Sequence, residues 1–200
     1  MRTPKIEALH RAIIWINEKD NSFIPILGLD KSSLGSNSWL AGFTDADGNL
    51  SITVYDRKKN SKVLRTSVQT LFRIEVKQNY YRDVLADQGG VSYFSVMINI
   101  TEFFTVNIYT KTRTKDDRVY YAFMAIFHNW RGQDIVRNSF NRFPLYSSKH
   151  LAYKDWCRVQ DLHRGVSLSK ESIDEIKRIK NQFNSKRRVF YFSYLDTLTF

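Results

Sequence analysis

The stretch Leu40-Ala41-Gly42-Phe43-Thr44-Asp45-Ala46-Asp47-Gly48 decides how this chain is read. Gly42 and Ala46 stand four residues apart. On a helix they share one face, and with so little side chain they let a second backbone approach closely. Asp45 and Asp47 fall at the end of that helix, and Gly48 is placed to stop it. A close pair of such helices would bring an acidic side chain from each partner to one spot. That is one way to build a shared site for a divalent metal.

Outward from this stretch the hydrophobic period changes. Leu50, Ile52 and Val54 alternate with Ser51, Thr53 and Tyr55, which predicts a half-buried strand. Residues 64–77 predict a second strand, with Phe72, Ile74 and Val76 on one face and Arg73, Glu75 and Lys77 on the other. Residues 93–103 read as a helix. A second hairpin runs from Thr105 to Arg113 and from Val119 to Phe127. Helices follow over Asp134–Phe143, after Ser147 and after Ser169; Pro144 ends the first of these and Gly165 the second. On the N-terminal side, Thr3-Pro4 opens a helix with Ile6, Leu9, Ile13 and Ile16 as its stripe, and residues 18–37 form a turn-rich linker. Ser38 is placed to cap the helix that begins near Trp39. The order from residue 38 predicts an α+β fold with an antiparallel sheet, one face of it polar and basic. The expected domains are an N-terminal helix and linker over 1–37 and a second unit over 38–200. No internal repeat and no second copy of the opening stretch is present.

Bulk properties narrow the function. The chain has 200 residues, a formal net charge of +11, 42% hydrophobic and 26% charged residues. Such an excess of cations favours a polyanionic partner, because neutralising phosphates releases counterions. No apolar run approaches the roughly 18 residues of a spanning helix. Cys157 is the sole cysteine, which excludes an internal disulfide. His150 and Cys157, seven residues apart, do not make a zinc site. Asp45-Ala46-Asp47-Gly48-Asn49 matches the start of an EF-hand loop, but Leu50 stands where glycine is required and Asp56 where the bidentate glutamate belongs. The richness in Asn, Tyr, Phe, Ile and Lys suits an AT-rich organellar genome.

The stretch 40–48 resembles the signature of the LAGLIDADG homing endonucleases, departing from it at Phe43 and Thr44. The order helix, two strands, helix, two strands, helix over about residues 38–164 resembles the αββαββα fold of that family, with its four-stranded saddle-shaped sheet, here followed by C-terminal helices. The resemblance implies a sequence-specific double-stranded DNA endonuclease that hydrolyses phosphodiesters with metal-activated water, using Mg²⁺. Asp47 is the implied metal ligand and the Ala46 carbonyl its companion, while Asp45 has a more structural role. Gly42 and Ala46 form the implied helix interface. That interface implies either a homodimer or a separate N-terminal LAGLIDADG half. Residues 1–37 also resemble the connection before the second motif in two-motif fungal mitochondrial intron proteins, which implies mitochondrial encoding. The alternative within the family is a group I intron RNA maturase, and a third reading is an inactive DNA-binding relic.

The residues themselves supply the contact set. Ser51, Thr53, Tyr55, Arg57, Arg73, Glu75, Lys77, Asn107, Tyr109, Lys111 and Arg113 are the candidate DNA-binding residues; nearly all fall on one strand parity and mix phosphate-binding cations with groups able to read base edges. Lys149 and Gln78 are candidate catalytic residues beside Asp47, the first reaching the scissile phosphate and the second positioning water.

Overall fold

A computed structural model describes residues 1–60, 62–80 and 91–197. In chain order the elements are α1 (Ile6–Asp20), α2 (Trp39–Asp47), β1 (Gly48–Lys59), β2 (Lys62–Lys77), β3 (Asn79–Tyr80), β4 (Val91–Ser92), α3 (Phe94–Phe104), β5 (Ile108–Lys115), β6 (Arg118–Phe127), α4 (Trp130–Arg142), α5 (Lys149–His163) and α6 (Lys170–Asn181). Short 3₁₀ turns follow at Asn184–Lys186 and Ser193–Thr197. The main sheet has strand order β1-β2-β6-β5, and both of its hairpins are antiparallel. The expected α+β architecture with a four-stranded antiparallel sheet is therefore present. The small β3–β4 pair was not foreseen.

Two compact units make up the chain. One comprises Met1–Ser36 and Glu75–Ala125, the other Asn37–Ile74 and Ile126–Phe200. In the first, α3 turns Val96, Met97, Ile100 and Phe104 inward, and Phe123 and Ala125 are buried with them. In the second, Phe72 and Phe127 meet with ring centroids 4.9 Å apart, and Phe140 meets Phe72 edge-on at 5.7 Å. Tyr153, Trp156 and Val159 of α5 and Ile176 of α6 complete that core. Removing one of these rings would cost about 3–5 kcal/mol.

The period-2 pattern placed the strand faces correctly: Leu50, Ile52, Phe72, Ile74 and Val76 are buried, while Val54, expected on the same face, is half-buried. The β5–β6 hairpin closes at Asp116 and Asp117, both at positive φ (50° and 58°), the twist that a two-residue hairpin turn requires. Several boundaries differ from expectation. Strand β5 begins at Ile108 because Thr105 takes a left-handed conformation that ends α3. Helix α4 starts at Trp130, ahead of Asp134, because Asn129 accepts the Gly132 amide at 2.7 Å and caps an extra turn. Ser38 makes no side-chain cap; the Asn37 side chain accepts the Trp39 amide instead, at 3.0 Å.

Candidate functional site

Helix α2 runs to Asp47, so both aspartates lie in its last turn. Gly48 ends it in an unexpected manner. Its φ is −77°, an ordinary extended value, so no left-handed cap is involved. What the position demands is space: a Cβ there would lie 2.5 Å from Thr44 Cγ2 and 2.7 Å from the Thr44 carbonyl oxygen. Only glycine lets the strand leave the helix at this angle.

The two acids have separate surroundings. Asp45 accepts the Tyr146 amide at 2.8 Å, the Ser147 amide at 3.3 Å and the Ser147 hydroxyl at 2.5 Å. It is consumed in fastening the turn that opens α5, as the resemblance implied. Asp47 is exposed, and its carboxylate has no hydrogen-bond partner among the described residues. Ala46 is exposed as well.

Lys149, the first residue of α5, comes back to α2. Its Nζ donates to the carbonyls of Thr44 at 2.9 Å, Asp45 at 2.8 Å and Ala46 at 3.3 Å. An ammonium on the free carbonyls of a helix C-terminus is well matched to the helix dipole. Burial pulls the Lys149 pKa below its ordinary value, and the charges of Asp45 and Asp47 oppose that pull. The sequence offered Lys149 as a candidate catalytic residue; what the structure shows is its ammonium capping the C-terminal end of the motif helix.

The C-terminal tail braces the same turn, and nothing in the sequence signalled this. The Tyr194 hydroxyl lies 3.0 Å from the Tyr146 carbonyl and 2.8 Å from that of Ser147. Its ring stacks on His150 with centroids 4.0 Å apart and planes 7° from parallel. The His150 pKa is held below its usual value by burial and by the charge of Lys154. The turn Tyr146–Ser147 thus has its amides held by Asp45 and its carbonyls faced by Tyr194.

Gly42 is exposed, and a Cβ added there would meet nothing within 4 Å. Among the described residues nothing demands glycine at that position; Gly42 and Ala46 present an open, nearly flat strip of helix.

In the unit that contains α2, β1 turns Ser51, Thr53, Tyr55 and Arg57 away from the buried Leu50 and Ile52, and Arg73 of β2 shares that outward parity. The register pairs Tyr55 with Ser67 and Thr53 with Gln69. Ser67 and Gln69 are exposed on the same parity and belong with the candidate contacts. Extending the alternation back from Arg73 would have found them. In the other unit, Glu75 and Lys77 of β2 share a polar face with Tyr109, Lys111 and Arg113 of β5, and Asn107 stands just before that strand. Gln78 follows β2 directly; its amide donates to the Tyr121 carbonyl at 3.0 Å and its carbonyl accepts the Tyr93 amide at 2.8 Å. Cys157 is half-buried, with its thiol pKa pushed up chiefly by burial, as suits a packing residue.

The model of the family described as LAGLIDADG endonuclease matches residues 40–160. This chain belongs to the LAGLIDADG endonuclease family. Intron-encoded DNA endonuclease aI3 of Saccharomyces cerevisiae is 32% identical over 98% of the chain and 52% of its own length. The chain therefore spans about half the length of this curated relative. Among solved structures, the LAGLIDADG homing endonuclease I-LtrWI bound to target DNA aligns with a TM-score of 0.56 at 21% identity, over 86% of this chain and 53% of that one. The homing endonuclease I-TnaI aligns with a TM-score of 0.52 at 20% identity, over 80% of this chain and 92% of that one. At these identities the structural likeness establishes the LAGLIDADG fold.

Proposed function

We propose that this chain is one catalytic half of a homing endonuclease that hydrolyses phosphodiesters in double-stranded DNA. The observation that carries the reading is the division of labour at the end of α2. Asp45 is spent on structure, whereas Asp47 two residues later is exposed and uncommitted. The Asp47 carboxylate and the Ala46 carbonyl are hard oxygen donors, the chemistry that Mg²⁺ selects. With two donors per chain, the site needs a second set from a partner. A bound Mg²⁺ would polarise the phosphate and lower the pKa of its water. Lys149 fixes the helix end that carries both donors and offers a cation beside the scissile phosphate. Gln78 is proposed as a positioning group for water.

The open Gly42–Ala46 strip is proposed to meet another such helix, from a second copy or from a separate N-terminal half. Seryl, threonyl and tyrosyl groups of β1, with Ser67, Gln69 and Arg73, are proposed to read base edges, and the cations of β2 and β5 to supply the positive field that draws the duplex onto this face. Kinship with intron-encoded proteins of Saccharomyces, Schizosaccharomyces and Neurospora supports a mitochondrial, intron-borne origin.

The test is Mg²⁺-dependent cleavage of a randomised duplex library, with sedimentation of the protein alone and on DNA. Recovery of one cut sequence, by a complex holding two motif helices, supports the proposal. Tight binding to intron RNA with no cut duplex, under conditions where a partner half is supplied, would replace it with the maturase reading.

A further inference from the structure

On the polar face of the first unit, Glu75 is an acid in a basic field, flanked along β2 by Arg73 and Lys77. Its two oxygens have separate partners on β5. Oε2 lies 3.2 Å from Lys111 Nζ, and Oε1 lies 2.7 Å from an Arg113 guanidinium nitrogen. Strand β6 lies between β2 and β5 in the sheet, and its residue paired with Lys111 is Ala122. That small side chain leaves the three longer ones free to meet above the middle strand. With Tyr120 they line an open groove of about 450 Å³.

Stability is a weak reason for this arrangement: the Glu75 and Lys111 side chains are 18% and 29% exposed, but Arg113 is 56% exposed, and ion pairs that water still reaches contribute little. Glu75 also subtracts a charge from a face whose cations would otherwise favour any polyanion. Binding a phosphate with Lys111 or Arg113 exchanges one anion for another and leaves the carboxylate facing the phosphates. A base edge imposes no such conflict. The Arg fork suits the O6 and N7 of guanine, and a carboxylate accepts from the N4 amine of the paired cytosine. We infer that Glu75 is a specificity-determining residue, a carboxylate clamp that withholds Lys111 and Arg113 from phosphates and, with Arg113, selects a G·C pair in the major groove.

This inference rests on the proposed nucleic-acid role of the face, and the experiment separates the two. Binding to random-sequence duplex is measured across a KCl series for wild type, Glu75→Gln, the charge-matched control Asp116→Asn at the hairpin turn, and the triple variant Glu75→Gln/Lys111→Ala/Arg113→Ala. The slope of log K against log salt should steepen by about one to two in Glu75→Gln, since up to two further phosphates are neutralised at roughly 0.9 each. It should be unchanged in Asp116→Asn, and the gain should vanish in the triple variant. Sites selected by wild type should fix a G·C pair that Glu75→Gln no longer enforces. An unchanged slope in Glu75→Gln, or an equal change in Asp116→Asn, overturns the clamp. If wild type binds no duplex, the proposed function fails while the clamp is read on heparin–agarose. Elution of Glu75→Gln at higher salt than both wild type and Asp116→Asn supports it, and coincident elution overturns it.

Discussion

The inner and outer sides of the end of α2 differ more than any sequence comparison of their residues suggests. On the inner side the charged groups and the tail tyrosine are engaged within the chain: Asp45 holds the Tyr146–Ser147 turn, Lys149 caps three carbonyls, and Tyr194 faces the carbonyls of the same turn. On the outer side Gly42, Ala46 and Asp47 are exposed, and a side chain at Gly42 would enter open space. One turn of helix thus has a face tied into the chain and a face open to solvent. Under the proposed function the first would supply precision to the second, because a carboxylate on a fraying helix end holds a metal poorly.

The largest expected effect comes from Asp47→Asn. It should lower Mg²⁺-dependent cleavage by at least about 10³-fold, roughly 4 kcal/mol of barrier, with duplex affinity and thermal stability unchanged. Cleavage at the wild-type rate would break the contrast between the two sides.

Asp45→Asn should do the reverse and act first on stability. It weakens charge-assisted hydrogen bonds to two amides and a hydroxyl, an expected loss of about 2–3 kcal/mol in chemical denaturation. Hydrogen exchange at the Tyr146 and Ser147 amides should accelerate in step.

Thr44 sharpens the inner side further. It is 1% exposed, and its hydroxyl has no partner among the described residues. Thr44→Val keeps the shape and removes the orphaned group, so denaturation should show a gain of about 1–2 kcal/mol. A loss would mean that the hydroxyl finds a partner in solution.

Tyr194→Phe keeps the stack on His150 and deletes one hydrogen bond, an expected cost of about 1 kcal/mol, with faster exchange in the Tyr146–Ser147 turn. The smallest effect is the most diagnostic of the outer side. Gly42→Ala should stabilise the lone chain by about 0.5–1 kcal/mol through helix propensity, while Gly42→Leu should block association in sedimentation because overpacking a close helix pair is costly. Unimpaired association of Gly42→Leu would remove the helix strip from the interface.

Local pattern determined a great deal. Strand alternation set which faces of β1 and β2 are buried, since a side-chain period of two leaves no other register consistent with Leu50, Ile52, Phe72 and Ile74 all inside. The offsets within residues 40–48 marked the helix, its small-residue strip and the two acids at its end, because those depend only on helical geometry; which acid stays exposed came from the resemblance. Caps were less legible: Asn37 and Ser38 are chemically near-equivalent, and which one bonds an amide depends on backbone angles that composition does not state. Tertiary structure alone decided what Asp45, Lys149 and Tyr194 do. Their partners lie on other elements, as with the Asp45–Ser147 bond across 102 residues, and no local spacing encodes a contact made only when α5 and the tail close on α2. The same reason hid the Glu75–Lys111–Arg113 group, whose members sit on strands that are not neighbours and meet only because Ala122 leaves room above the strand between them.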